Sequence, residues 1–524
     1  MIIKARHLRH LLPVLVACAS TALAGMSGPV ATRSGPVVGV ATVNTAVTAF
    51  KGIPYAASTS GAARWRPPQP HAPWRQPLRA DHFGARCPQA PSQGDTQPAQ
   101  DLPTSEDCLF LNVWTPARAR GERLPVMVWV HGGAFINGSG ASYGDAWADA
   151  SSLAAQGVVL VTVNHRLGIF GYFVHPDLVA ESPHHSAGNY GLLDVIAALR
   201  WVHENIAEFG GDPANVTLFG HSSGSGIVTN LLAVPQAAGL MQRAIAEGGG
   251  SMFYRAPRTM QWALQDGVRF AHARGAATLA QLRAQPADSL VTPQPGEFEP
   301  VVDGWVYPRS LFDTLAARDG NEVPLLIGSN SDEAQPVQGA TVASYLAEVH
   351  KRYGTGADQV LAAVPARTDA DAPRAFKGID MLEAEAIHTT LADLADCAPA
   401  RDGLPRVYQY HFDHTPPASA GGRRLEGAFH GAELPYVFHA IEGEARAWTS
   451  IDRHLEQLIT GYWLNFARTG DVNGPGLPHW PTLREQPGAV MHFSDDARLG
   501  GRVNMEGVAL LQRIYYGRTV NHCH

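Results

Sequence analysis

The chain lacks the features of nucleic-acid-binding and membrane-spanning proteins, and its cysteines give no sign of a zinc site. Its 524 residues carry 40 Lys and Arg against 47 Asp and Glu, so no excess of positive charge is available to attract nucleic acid. After the N-terminal region, no stretch reaches the roughly 18 uninterrupted apolar residues that a transmembrane helix needs. The 5 cysteines show no zinc-ligand spacing. What is left is a globular protein of ordinary composition.

The N-terminus has the composition of a secretory signal peptide. The basic segment MIIKARHLRH precedes the apolar segment LLPVLVA, and small residues follow as far as Ala24. This order predicts a signal peptide over residues 1–24 and export of a single domain, residues 25–524, to the periplasm or the medium. Leu15–Cys18 also resembles a bacterial lipobox, so a lipid anchor at Cys18 is an alternative to simple secretion.

Export changes the interpretation of the remaining cysteines. Apart from Cys18 these are Cys87, Cys108, Cys397 and Cys523. An even number of cysteines in an oxidising compartment is typical of disulfide bonds. Cys87 and Cys108 flank a proline-rich segment with no core-forming pattern, and a disulfide across that loop would restrict the unfolded chain.

Short apolar segments alternate with longer amphipathic ones along the chain. Leu124–Val130 and Val158–Asn164 are apolar on both faces, which indicates buried strands, and residues 189–211 have helical spacing and stop at glycine. The alternation predicts an α/β fold, with a mostly parallel central sheet and helices on both faces. Helical insertions are expected between about Thr259 and Arg401, over the edge where the strands end and reactive groups gather.

The pentapeptide GHSSG, Gly220–Gly224, fits the pattern G-x-S-x-G and lies between a predicted strand and a predicted helix. We predict Ser222 as a nucleophile, because the sharp turn holds its hydroxyl above the sheet edge. Ser223 is the weaker candidate, but its N–H is placed to stabilise an oxyanion. We do not expect His221 to be the base, since adjacent side chains in a tight turn diverge. The alternative is a glycine-rich turn without catalytic function.

A second glycine segment, HGGAF (His131–Phe135), follows another predicted strand. Hydrolases with a G-x-S-x-G turn carry an oxyanion-binding segment at this place. The N–H groups of Gly133 and Ala134 are predicted to join that of Ser223 in an oxyanion hole. An ordinary turn between strand and loop is the alternative.

In this arrangement the acid and the base follow the serine in that order. The segment after VPLLIG offers Asp332 and Glu333, and its pattern does not choose between them. Among 23 histidines, His430 is selected as the base because it lies in a glycine-flanked loop between a predicted strand and the apolar LPYVF.

Together these motifs resemble those of the type-B carboxylesterases, the carboxylesterase/cholinesterase family of α/β-hydrolases, from about Gly35 to Tyr516. The resemblance rests on the following segments in family order: FKGIPYA, RWRPPQP, SEDCLFLNVWTP, HGGAF, NHRLGIFGY, GNYGLLD, GGDPANVTLFGHSSG, PVVDG, IGSNSDE, FHGAELPYVF and YWLNFARTGD.

The resemblance implies an α/β-hydrolase that cleaves small carboxylic esters through an acyl-enzyme intermediate, without a metal or a cofactor. It implies Ser222 as nucleophile, Glu333 rather than Asp332 as acid, and His430 as base. It also implies further pairs, namely disulfides Cys87–Cys108 and Cys397–Cys523 and buried ion pairs Arg64–Glu106 and Arg166–Asp194.

The chain departs from the family pattern near the nucleophile. His221 stands where relatives usually carry an acidic residue, Ala134 replaces the third glycine of the oxyanion segment, and Glu247–Gly250 (EGGG) replaces QSGS and so lacks a hydroxyl. Choline esters are not expected, because the segment between Cys87 and Cys108 holds no aromatic side chain to bind a cation. The alternatives are an esterase for one bulky or unusual ester, a lipase with a lid, and a non-catalytic binding protein. The oligomeric state is not predicted.

Overall fold

The computed structural model describes residues 26, 28–90, 102–141, 150–249, 258–291, 298–397, 406–418, 427–443 and 445–517. The predicted signal peptide, the lipobox cysteine Cys18 and Cys523 lie outside the described residues. Within the described part, none of the helices has both the length and the apolar character needed to cross a bilayer.

The strands are short, and most are apolar. In chain order they are β1 Val30–Ala31, β2 Pro36–Val38, β3 Val40–Ala41, β4 Thr48–Pro54, β5 Leu78–Arg79, β6 Phe110–Thr115, β7 Leu124–Val130, β8 Val159–Val163, β9 Gly211–His221, β10 Arg243–Glu247, β11 Leu325–Asn330, β12 Val407–Phe412, β13 Ala489–Phe493 and β14 Ala497–Gly501.

Helices separate most of these strands. In chain order they are α1 Ala150–Ala154, α2 Gly168–Tyr172, α3 Pro176–Glu181, α4 Tyr190–Asn205, α5 Ser223–Leu231, α6 Met260–Ala273, α7 Leu279–Arg283, α8 Ala287–Leu290, α9 Leu311–Ala316, α10 Val342–Tyr353, α11 Ala357–Ala363, α12 Ala372–Asp396, α13 Leu434–Val437, α14 Ser450–Thr469 and α15 Met505–Tyr516.

An 11-stranded sheet forms the centre of the fold, in the order β14-β13-β12-β11-β10-β9-β7-β8-β6-β4-β3. The strands from β13 to β8 in this order are parallel to one another. At the ends, β14 pairs antiparallel with β13, and β6, β4 and β3 continue from β8 in antiparallel pairs. In the middle, Val128 of β7 lies opposite Val161 of β8 and Leu218 of β9. The predicted mostly parallel sheet is therefore confirmed. A separate 3-stranded sheet joins β1, β2 and β5.

Both faces of the sheet are covered, as the uninterrupted apolar strands predict. Successive side chains of a strand point to opposite faces. On β7, Val128 accordingly packs into the core shared with α4, whereas Trp129 packs into the core shared with α14. The predicted helix over residues 189–211 is present as α4 and a 3₁₀ turn that ends at Gly210. Gly210 has a φ of 81°, a left-handed conformation that glycine adopts without strain.

Five neighbouring strands bring the predicted site residues to one edge of the sheet. Strands β7, β9, β10, β11 and β12 are parallel and adjacent, so their carboxyl ends lie side by side. HGGAF follows β7, Ser222 follows β9 and Glu333 follows β11, while His430 belongs to the segment after β12. In parallel sheets this edge is where ligands bind and reactive groups meet.

Candidate active site

The turn that carries Ser222 has the strained geometry expected of a G-x-S-x-G segment. Ser222 has φ of 59° and ψ of −124° and immediately precedes α5. The turn is held by a hydrogen bond from the Ser222 N–H to the carbonyl of Glu247, 2.9 Å long. A Cβ on Gly224 would lie 2.1 Å from the carbonyl oxygen of Val130, and one on Gly220 would lie 2.7 Å from it. Glycine is therefore required on both flanks by the close approach of β7.

The HGGAF segment passes directly over this turn. A Cβ on Gly132 would lie 2.9 Å from the Cβ of Ser222, so only glycine permits the approach. Gly133, Ala134 and Phe135 then take φ values of 118°, 54° and 63° in succession. A left-handed conformation is strained for residues other than glycine and is often found at functional sites. Within the described part of the chain, the N–H groups of Gly133 and Ala134 donate to no backbone or side-chain oxygen.

His430 and Glu333 are in direct contact. The Nδ1–H of His430 donates a short hydrogen bond to Oε2 of Glu333, while Oε1 of Glu333 accepts a 2.7 Å bond from the N–H of Asn330. The neighbouring Asp332 is used elsewhere, because its carboxylate pairs with Lys377 and accepts a 3.1 Å bond from the N–H of Ala428. The structure thus brings Glu333, and not Asp332, to His430.

The charges of this pair are mutually stabilised. Burial lowers the pKa of His430, but the Glu333 carboxylate outweighs burial and leaves the pKa raised. Burial raises the pKa of Glu333, yet the charge and hydrogen bond of His430 leave it lowered. The imidazole is thereby held in one orientation and one tautomer, with Nε2 left available.

His221 lies against the same pair but does not take its place. The ring centroids of His221 and His430 are 4.3 Å apart. Burial, together with the neighbouring His430, lowers the pKa of His221 well below its ordinary value. A Cβ on Gly248 would lie 2.9 Å from the His221 ring and 3.1 Å from Oε1 of Glu333, so the serine of the usual QSGS segment is replaced by glycine at a crowded point.

Sequence reasoning missed two buried carboxyl groups beside the site, Glu433 and Glu247. Burial, followed by the charge of Glu333, raises the pKa of Glu433 to about 7. Glu433 accepts a 2.5 Å bond from Nδ2 of Asn330, and its other oxygen lies 3.8 Å from Nε2 of His221. Burial likewise raises the pKa of Glu247, whose carboxylate accepts a bond from the indole of Trp463. Glu433 lies in the motif FHGAELPYVF, but a sequence motif does not reveal burial.

The pairs implied by the resemblance are present wherever the structure describes both partners. Cys87 and Cys108 form a disulfide with Cα atoms 5.0 Å apart. Nε of Arg64 lies 2.6 Å from Oε1 of Glu106, and Arg166 makes two bonds of 2.7 and 2.8 Å to Asp194. The pairing of Cys397 with Cys523 stays a prediction, because Cys523 lies outside the described residues.

The sheet order and the arrangement of side chains at its edge define an α/β-hydrolase. The chain belongs to the carboxylesterase family, whose family model matches residues 27–510. It is accordingly an enzyme that hydrolyses carboxylic esters.

Individual relatives agree with this assignment. Fumonisin B1 esterase of Sphingopyxis macrogoltabida is 35% identical over 495 residues, covering 90% of this chain and 87% of the relative. Para-nitrobenzyl esterase of Bacillus subtilis (strain 168) is 35% identical over 480 residues, covering 87% and 93%. The solved structure of a thermophilic pNB esterase superposes with a TM-score of 0.78 at 29% identity, covering 93% of this chain and 100% of that chain.

Proposed function

We propose that the protein hydrolyses small carboxylic esters in two steps, through an acyl-enzyme on Ser222. His430 accepts the proton of the Ser222 hydroxyl as it attacks the ester carbonyl, and then donates it to the leaving alcohol. His430 next activates a water molecule that releases the acid. Glu333 fixes the imidazole tautomer and stabilises its charged form.

The contact between Glu333 and His430 is the observation that carries this proposal. Glu333 is a buried carboxylate after β11. Its partner His430 packs against His221, which immediately precedes Ser222. The side chain of His430 is 30% exposed and that of Glu333 only 4%, so the imidazole is reachable by substrate while the carboxylate is shielded from water. This difference in exposure suits a general base whose Nδ1 is fixed by a buried carboxylate and whose Nε2 is left available to react.

The amide groups of Gly133, Ala134 and Ser223 are proposed to bind the oxyanion of the tetrahedral intermediate. Two observations support this role. The HGGAF segment approaches the Ser222 turn as closely as glycine allows, and Ser223 is the first residue of α5, where N–H groups have no partner within the helix. Fixed donors of this kind stabilise charge that develops only during the reaction.

Labelling with a fluorophosphonate tests the nucleophile. We expect one adduct per chain, located on Ser222 by peptide mass spectrometry, and none in Ser222→Ala. An adduct on Ser223 would contradict the choice of nucleophile. A native enzyme that takes up no label would favour the non-catalytic binding protein instead.

A second candidate is an esterase specialised for one bulky or unusual ester. The 35% identity to a protein named fumonisin B1 esterase, over 90% of this chain, favours it. A panel of esters that varies acyl length and alcohol size separates the two. A general carboxylesterase should keep kcat/KM within about a hundredfold across the panel, whereas a specialised enzyme should favour one bulky member far more strongly.

We also propose export, with residues 1–24 removed. The disulfide between Cys87 and Cys108 supports it, because such bonds persist in oxidising compartments. The intact mass of protein from the native host tests this proposal. Cleavage near Ala24 gives an unmodified mature chain, whereas a diacylglycerol mass on Cys18 would indicate the lipid-anchored form.

A further inference from the structure

A second cluster of polar side chains lies at the end of β12 and on β13, and the proposed mechanism does not use it. It consists of His411, Asp413 and His492. One ligand atom from each, an imidazole nitrogen or a carboxylate oxygen, lies within 4.8 Å of the others. Nδ1 of His411 is 2.7 Å from Oδ1 of Asp413, and Nδ1 of His492 is 2.8 Å from Oδ2. Two imidazole nitrogens therefore converge on the two oxygens of one carboxylate.

The outer nitrogens of both imidazoles are held by acceptors. Nε2 of His411 lies 2.8 Å from the buried carboxylate of Glu385, and Nε2 of His492 lies 2.9 Å from the carbonyl oxygen of Gly501. Metal-binding histidines are usually oriented in this way, with the second N–H donated to a carboxylate or a backbone carbonyl. Each ring thereby turns its Nδ1 towards Asp413.

This orientation favours positive charge in the cluster, either on the imidazoles or on a bound ion. With Nε2 protonated, a neutral imidazole presents the lone pair of Nδ1 to a carboxylate oxygen, and the two repel each other. Either a proton on each Nδ1 or one divalent ion between the three groups removes that repulsion. The net charge is the same in both cases, since one M²⁺ replaces two protons, so the surrounding protein does not exclude the ion.

Solvent can reach the site, and a neighbouring glycine leaves space for one of its imidazole rings. The side chain of Asp413 is 27% exposed and that of His492 is 20% exposed, so an ion can enter from solvent. A Cβ on Gly500 of the neighbouring strand β14 would lie 2.7 Å from Cδ2 of His492, so the glycine makes room for the ring.

We propose that His411, Asp413 and His492 form a binding site for a divalent transition-metal ion of the zinc type. Two imidazoles and one carboxylate are a ligand set that Zn²⁺ accepts, with a remaining position for water. Metal–ligand distances of about 2.0–2.2 Å place tetrahedral ligand atoms about 3.4 Å apart. Binding would therefore widen the two N···O contacts of 2.7 and 2.8 Å and draw together the atoms that now lie up to 4.8 Å apart. The ion would tie β12, which neighbours the strand leading to Glu333, to β13.

Zinc binding to the whole enzyme tests the proposal, with ZnCl₂ as the probe and activity not used as a readout. After dialysis against a chelator, isothermal titration and elemental analysis should give one Zn²⁺ per chain more in the wild type than in His492→Ala. Zn²⁺ should raise the Tm of the wild type and not of that variant. Co²⁺ should give a visible d–d absorption band that the variant lacks.

His454→Ala is the matched control. His454 forms a surface pair with Asp496, 3.1 Å away, and among the described residues no third ligand joins them, so its loss should leave zinc binding unchanged. Glu385→Gln retains all three ligands and should weaken binding about 10- to 100-fold. Asp413→Asn is a second ligand variant, to be used if His492→Ala lowers the Tm of the metal-free protein.

Two results would overturn the proposal. Equal stoichiometry and Kd in the wild type, His492→Ala and Asp413→Asn would assign any bound zinc to other histidines. No binding by the wild type at submillimolar Zn²⁺ would show that the cluster holds protons only.

Discussion

The rings of His221 and His430 pack 4.3 Å apart, and His221 immediately precedes the proposed nucleophile. Relatives usually have an acidic residue at position 221. Here burial, followed by the charge of His430, lowers the pKa of the imidazole well below its ordinary value and so favours the neutral form. The negative charge that acts on His430 therefore comes from Glu333 and Glu433.

This arrangement predicts how the pH profile depends on Glu433. Hydrolysis needs a neutral His430, so kcat/KM should fall as pH drops through the pKa of His430. The charge of Glu433 raises that pKa. Because the pKa of Glu433 is itself raised to about 7, its carboxyl is only partly charged where His430 titrates. Glu433→Gln should therefore lower the pKa of His430 by a small amount, and the acidic limb of the profile should move slightly to lower pH. The exposed Glu442, paired with Arg453, supplies the control variant Glu442→Gln. An unmoved limb in Glu433→Gln would refute the coupling.

Substituting the two serines should give very different results. Ser222→Ala removes the attacking hydroxyl and should lower kcat at least about 10⁴-fold. Ser223→Ala keeps the backbone N–H and should cost less than about tenfold. Initial rates with a p-nitrophenyl ester measure both variants, with circular dichroism to verify folding. Equal losses would contradict the assignment of Ser222.

Substitutions of the adjacent carboxylates Asp332 and Glu333 test which of the two supports His430. Glu333→Gln should lower kcat by about 10³- to 10⁴-fold with little change in KM, because His430 loses its charged partner. Asp332→Asn weakens the ion pair with Lys377 and should lower Tm while kcat stays within a few-fold. Steady-state kinetics and thermal melts on both variants provide the test. A large kcat loss in Asp332→Asn alone would reverse the assignment.

Substitutions at Ala134 test the proposed role of the HGGAF segment in binding the oxyanion. Its φ of 54° is acceptable for alanine at a cost but is a severe strain for a β-branched residue. Ala134→Val should lose about 1–3 kcal/mol of stability and about 10²-fold or more in kcat, because the N–H is displaced. Ala134→Gly should retain both within small factors. Urea unfolding and kinetics distinguish the two variants, and equal behaviour would argue against a strained, functional backbone here.

The disulfide offers a test of stability that does not involve the site. Cys87 and Cys108 lie 21 positions apart in the sequence. Replacing both by serine should lower the free energy of unfolding by about 3 kcal/mol, since the unfolded loop becomes unrestricted. The same loss should follow when the wild type is unfolded with a reductant. A variant as stable as the oxidised wild type would contradict this expectation.

Much of the fold and the site could be predicted because local patterns encode them. Strand β7 begins and ends where its apolar segment does, and the glycines of GHSSG reflect a close contact with β7. The resemblance to the carboxylesterase family implied Glu333, which the local segment SNSDE alone did not separate from Asp332. The deciding difference is which carboxylate faces His430, and that depends on a loop almost a hundred residues away.

The sequence did not predict features that depend on contacts between residues far apart in the chain. Asp413 and His492 are 79 residues apart and meet only because β12 and β13 pair in parallel. The raised pKa of Glu433 arises from burial near Glu333, and neither sequence spacing nor composition measures burial. Tertiary packing, rather than any local signal, brings these groups together.

The tight turn around the proposed nucleophile also limits which substitutions this enzyme can accept. A methyl group on Gly220 or Gly224 would collide with the Val130 carbonyl, so we expect substitutions at those positions to distort the turn. Position 221 already carries a side chain, and its histidine departs from the family pattern described above. Mutant libraries aimed at a new pH range should therefore randomise His221 and keep its glycine neighbours constant.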